Sequence, residues 1–235
     1  MSKSGVATSS DKDSHHHQHH HHKHRQHDDF DIRKVVRLFE EAKRGETDVD
    51  LAVYIQAWSE LNSMFPLFGR LFTFVQSDVA DKEAILQAYV DGEHKEEYGT
   101  VSQMIQHELR EDTARCTHPP SACRTFLRLH RALEFVIAFI RDIHESDDRA
   151  SMSHTARMAY DRTLAQHHPW LVRKGVHVAV WALPNRTQLI SQLCHGDRPD
   201  GAEASAVMSA LVHHSDEVYG RCQKMYEHSH ITDLP

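Results

Sequence analysis

Apolar side chains recur along this chain at steps of three and four residues, the period of a helix that buries one face, from about residue 28 to the end. Phe30, Ile32, Val35, Val36, Leu38 and Phe39 form the first stripe; Gly45 ends it, and Asp48 or Asp50 is placed to cap the next. The second stripe passes through Tyr54, Ile55, Trp58, Leu61 and Met64 to Phe65-Pro66, where the proline is expected to kink a helix that continues as LFGRLFTFV. Ser77 and Asp78 mark the next start, with Ile85, Leu86 and Tyr89 on its apolar face and Asp91-Gly92 at its close. A fourth helix is expected over roughly residues 98–114.

Pro119-Pro120-Ser121 then breaks the chain and caps an almost continuously apolar helix, CRTFLRLHRALEFVIAFIRDI, from Cys123 to Ile143. After the polar loop HESDDR come helices over 151–166, from His168-Pro169-Trp170 to Pro184, over about 186–194 and over 202–228. No alternating run is bounded by hairpin turns, so no sheet is expected. The pattern predicts one all-α domain of about eight or nine helices.

Arg124 and Arg128 interrupt the apolar helix one turn apart. A guanidinium taken out of water costs several kcal/mol unless an anion meets it. Two on one face form a forked clamp for a single phosphate or carboxylate. The alternative is that each reaches the surface along its aliphatic stem or pairs with an acid of a neighbouring helix. Spacing alone leaves both readings open. Asp78 and Lys82 stand i, i+4 at a helix start, which suits a cap and a solvated pair as well as a site. His168, before a proline, is equally open to a backbone-satisfied loop position.

Composition narrows the classes. The chain has 235 residues, 40% of them hydrophobic, which is enough for a substantial core. Twenty-seven Lys and Arg against 34 Asp and Glu leave a net charge of −7, so broad nucleic-acid binding is not expected. A local basic patch is still allowed, because Arg124, Arg128, Arg131, Arg173 and Lys174 lie in segments poor in acids. Four cysteines at wide spacings, with no CxxC, read as reduced thiols of a cytosolic protein. The first thirty residues lack an apolar signal core, and no apolar run is long enough to span a bilayer. Residues 1–28, with Val6 as the one sizeable aliphatic after Met1, are expected to be disordered; they hold the tract SHHHQHHHHKHRQH, which offers metals no fixed geometry. Neither a cofactor nor a defined metal site is expected. No HExxH, G-x-S-x-G or glycine-rich phosphate loop is present, which disfavours an enzyme.

The segments SDVADK, CRTFLRLHRAL, HHPWLVRK and YEHSHITDLP resemble the glycolipid transfer protein superfamily, specifically its ceramide-1-phosphate transfer protein branch, over residues 29–235. The resemblance implies a two-layer, all-helical sandwich of about eight helices that carries one sphingolipid between membranes. It implies that Asp78 meets the ceramide amide and sphingoid hydroxyl, His168 the amide carbonyl, and Lys82, Arg124 and Arg128 the phosphate. Glycolipid-selective relatives carry Asn in place of Lys82 and a sugar-stacking Trp in place of Arg128, and this chain has cations at both. Candidate chain-pocket residues are Phe72, Phe74, Leu127, Phe135, Val136, Phe139, Val176 and Val180. Trp170, with Arg173 and Lys174, suits transient contact with a membrane surface. The expectation is a monomeric, cytosolic, non-enzymatic carrier of ceramide 1-phosphate; a glycolipid carrier and a non-transferring sphingolipid sensor are the alternatives. The His-rich extension departs from the family pattern.

Overall fold

A computed structural model describes residues 30–195 and 201–235. The expected disorder of 1–28 concerns residues outside these. The described residues form nine α-helices: α1 (Ile32–Ala42), α2 (Leu51–Asn62), α3 (Thr73–Val90), α4 (Val101–Arg110), α5 (Ala122–Glu145), α6 (Met152–Arg162), α7 (Trp170–Ala179), α8 (Arg186–Leu193) and α9 (Ala202–His228). They make the two-layer helical sandwich. α1 packs on α2 and α9, α2 on α3, α3 on α5 and α5 on α9, so these helices close a ring around one core; α6 lies against α5.

Helix starts follow the side chains that can satisfy free backbone N–H groups. Asp31 caps α1, Asp50 caps α2, Thr100 and Gln103 form a capping box on α4, and Ser121 caps α5. The start of α5 has a further anchor. The carboxylate of Glu108, itself buried, accepts from the N–H groups of Ala122 (3.0 Å) and Cys123 (2.8 Å) and from the Tyr98 hydroxyl (2.9 Å). A buried carboxylate at a helix N-terminus is stabilised by those donors and by the helix dipole. α5, which carries both arginines, is thereby fixed at its N-terminal end.

Four expectations are corrected. A short antiparallel ladder, β1 (Lys43–Arg44) with β2 (Asp48–Val49), closes over Gly45, whose φ of 53° suits a tight turn. Four strand residues with little alternation fall below what pattern reading detects. The second correction concerns the join between α2 and α3. α2 does not kink at Pro66 and continue; it stops at Asn62, and two 3₁₀ turns, Phe65–Phe68 and Arg70–Phe72, flank Gly69. α3 then begins at Thr73, four residues before the expected Ser77. Gly69 has φ of 118°, a conformation open to glycine and strained for any other residue. The chain direction therefore changes here, and Phe72 and Phe74 reach the wall of the cavity described below. Similarly, the expected helix over 98–114 is a 3₁₀ turn (Lys95–Tyr98) followed by α4, and the segment after α7 ends as a 3₁₀ turn over Val180–Ala182.

Candidate functional site

A cavity of about 460 Å³ opens between α3, α5, α6 and α7, within the size range of small-molecule sites. Each helix contributes a stripe at its own period: Val75, Asp78, Val79 and Lys82 from α3, Arg128, Leu129, Arg131, Ala132, Phe135 and Val136 from α5, and Val172, Val176 and Ala179 from α7. Phe65, Phe72, Phe74, Tyr160, Leu164, His167 and His168 complete the lining. Most of this wall is hydrocarbon. The polar groups gather together, as their mutual electrostatic effects record: Asp78 and Lys82 act on His168, and Arg128 and Arg131 act on His167.

Lys82 donates to Asp78 at 2.6 Å. Arg128 is half-buried and donates to the carbonyls of Arg124 (3.2 Å) and Leu234 (3.3 Å), while Arg131 donates to the carbonyl of Thr232 at 2.9 Å. Among the described residues none of Arg124, Arg128 and Arg131 forms a direct ion pair with a carboxylate. Burial, then the nearby charges of Arg124 and Arg131, depress the Arg128 pKa to about 10. Arg128 is still a cation at neutral pH, and it sits where an added anion relieves both the desolvation and the repulsion.

His168 is held by a partner that sequence reading missed. The Tyr160 hydroxyl lies 2.6 Å from His168 Nδ1. Burial pushes the Tyr160 pKa up to about 12, so the phenol keeps its proton to donate. Burial also lowers the His168 pKa, partly offset by Asp78, so the ring is neutral near pH 7. A neutral imidazole that accepts at Nδ1 carries its hydrogen on Nε2.

Asp78, Lys82, Arg128 and His168 therefore line one cavity. Arg124 does not: it stands one helical turn before Arg128 on α5, and its Nε is buried with no hydrogen-bond partner among the described residues. Of the candidate chain-pocket residues, Phe72, Phe74, Phe135, Val136 and Val176 line the cavity. Leu127, Phe139 and Val180 do not; they are packed in the core, Phe139 against Phe68 and Phe135. Period alone cannot separate core from cavity wall, because both faces are apolar. Arg131 was read only as a member of a basic patch, yet it lines the cavity three residues after Arg128; the i, i+3 spacing was the available signal. Near the cavity, Trp170 (63% exposed), Leu171 (74%) and Trp181 (76%) stand in water, Lys174 lies over the Trp170 ring at 5.6 Å, and Arg173 is exposed. Trp181 was not anticipated.

The family model described as glycolipid transfer protein matches residues 49–195. The chain belongs to the glycolipid transfer protein family. Within it, the ceramide-1-phosphate transfer protein of Danio rerio is 34% identical over 88% of this chain and 99% of its own length. The Homo sapiens ceramide-1-phosphate transfer protein is 31% identical over 88% of this chain and 97% of its own. A crystal structure of that human protein in complex with 2:0 ceramide-1-phosphate superposes with a TM-score of 0.82 at 31% identity, covering 88% of this chain and all of the other. The family is one of lipid transfer proteins, and among the described residues no helix is long and apolar enough to cross a membrane.

Proposed function

We propose that this protein carries ceramide 1-phosphate between membranes, without chemical conversion, as a cytosolic monomer that touches bilayers briefly. The observation that carries the reading is a cationic cluster at the wall of an apolar cavity in which, among the described residues, Arg128 and Arg131 have no carboxylate ion-pair partner and Lys82 pairs with Asp78 of the same cavity. Lys82, Arg128 and Arg131 bind the phosphate, and Arg124, one helical turn before Arg128, adds charge nearby. A phosphate monoester bears about −1.5 to −2 charges near pH 7, which three or four cations neutralise. Each charge-assisted hydrogen bond contributes about 1.5–3 kcal/mol.

Asp78 accepts from the ceramide amide and hydroxyl. His168, kept in one tautomer by Tyr160, donates from Nε2 to the amide carbonyl. The lipid-binding unit runs over residues 29–235, and the hydrocarbon chains enter the space lined by Phe72, Phe135, Val136 and Val176. Withdrawing a lipid from a bilayer forfeits about 0.8 kcal/mol for each CH₂ left in water, so a carrier must offer an equivalent apolar lining. Hydrocarbon burial makes transfer nearly neutral, and the head-group cluster supplies selectivity. Trp170, Arg173 and Lys174, with Leu171 and Trp181, dock on the membrane surface.

The deciding experiment is one vesicle-to-vesicle assay in which labelled ceramide 1-phosphate competes with galactosylceramide. Selective movement of the phospholipid is expected. Preferential movement of the glycolipid, or release of inorganic phosphate, overturns the proposal.

A further inference from the structure

A second cluster lies where the middle of α9 meets the end of α1, and none of its residues lines the cavity. His213, His214 and Glu217 occupy little more than one turn of α9, and among the described residues they bring three ligand atoms within 4.8 Å of one another. His213 Nε2 lies 3.0 Å from a Glu217 carboxylate oxygen. Lys43 Nζ lies 3.1 Å from His214 Nδ1 and pairs with the other Glu217 oxygen. An ammonium group donates and cannot accept, so His214 Nδ1 presents its lone pair to Lys43. The protein thus already holds a cation between an imidazole lone pair and a carboxylate, with a second imidazole on the same carboxylate.

We propose that His213, His214 and Glu217 form a binding site for a divalent first-row transition ion of zinc-like preference, and that Lys43 is the built-in cation which the metal displaces. Two imidazoles and one carboxylate are a donor set for such ions, and three protein ligands leave a position for water. Calcium is disfavoured because it takes six or more oxygens. Binding requires His213 to move its proton from Nε2 to Nδ1, which its 64% exposed side chain permits. It also exchanges a Lys43 clip between α1 and α9 for a metal held by α9 alone. The His-rich tract over 15–27 lies outside the described residues, and the proposed site is built from α9 alone.

The test titrates zinc chloride into the full chain and follows assigned nitrogen resonances by NMR, so that helix and tract report separately. Expected are saturable shifts of His213 Nε2, His214 Nδ1 and the amides of 211–219. Glu217→Gln and His214→Gln should each remove that response while the tract still responds, and Lys43→Met should tighten zinc binding several-fold. Circular dichroism checks that each variant stays helical. Zinc shifts confined to the tract overturn the site, and a Lys43→Met affinity equal to that of the parent overturns the displacement.

Discussion

At the scale of single residues, the cavity turns on which donors are already satisfied. Arg128 spends its Nη1 donor on two carbonyls, at 3.2 and 3.3 Å, which are longer than good charge-assisted bonds, so a phosphate competes well for it. Arg128→Leu should lower ceramide 1-phosphate transfer by about 10- to 100-fold, the equivalent of one or two such bonds, with the helical circular dichroism spectrum unchanged. Tyr160→Phe removes the donor that sets the His168 tautomer. Calorimetry should show binding weakened by about 3- to 10-fold, and the His168 Nδ1 nitrogen resonance should move even without lipid. A purely structural Tyr160 would leave that resonance in place. Residue type and spacing singled out Asp78, Lys82, Arg128 and His168 but left a solvated pair, a surface arginine and a loop histidine equally open, and the family resemblance made the choice. Tyr160 was not singled out, because nothing in sequence ties it to a histidine eight positions away across a helix end.

Elements add a stability dimension. α5 depends on Glu108, whose carboxylate answers three donors at once. Glu108→Ala strands the Tyr98 hydroxyl and two backbone N–H groups in the interior, and urea unfolding should show a loss of about 3 kcal/mol. α3 carries the opposite case. Burial raises the Glu83 pKa from its ordinary carboxylate value to about 7, and its Oε1 is buried with no hydrogen-bond partner among the described residues. The folded state therefore holds this proton over a pH range where the unfolded chain has lost it, so stability falls as pH rises from about 4.5 to about 7. Glu83→Gln should leave the melting temperature nearly unchanged at pH 4 and raise it at pH 8. An equal change at both pH values would mean that ionisation is not the cause. Helix existence was readable throughout, because long periodic stripes come with caps such as Ser121. The α2–α3 join was misread because the chain turns at Gly69 through a φ of 118°, a backbone choice open to glycine that the apolar period does not record.

For the molecule as a whole, overall acidity and local apolar exposure pull in different directions. A net charge of −7 opposes lasting attachment to anionic bilayers, while Trp170, Leu171 and Trp181 present a face suited to the interface. Leu71 and Phe74, exposed on the 3₁₀ turn and α3, extend the apolar surface, and Phe74 and Val172 belong also to the cavity wall. On the proposed function, docking and lipid entry share one rim. Replacing both Trp170 and Trp181 by Ala should lower vesicle partitioning and transfer rate together, and leave the affinity for a short-chain, water-dispersed ceramide 1-phosphate unchanged. A matching loss of that affinity would assign the two tryptophans to the binding site instead.

The chain alone determined its all-α class and the order of its principal helices, because helical period and caps are local properties that survive without knowledge of neighbours; charges inside an apolar stripe marked candidates for a site and left their roles open. Only the tertiary structure decided which apolar faces line a cavity and which fill the core, that Arg131 lines the cavity while Arg124 does not, and that the Tyr160 hydroxyl meets His168. It alone placed Lys43 against residues about 170 positions away on α9. Those outcomes depend on how helices separated in sequence approach one another, and a pattern written along one helix carries no record of what lies across from it.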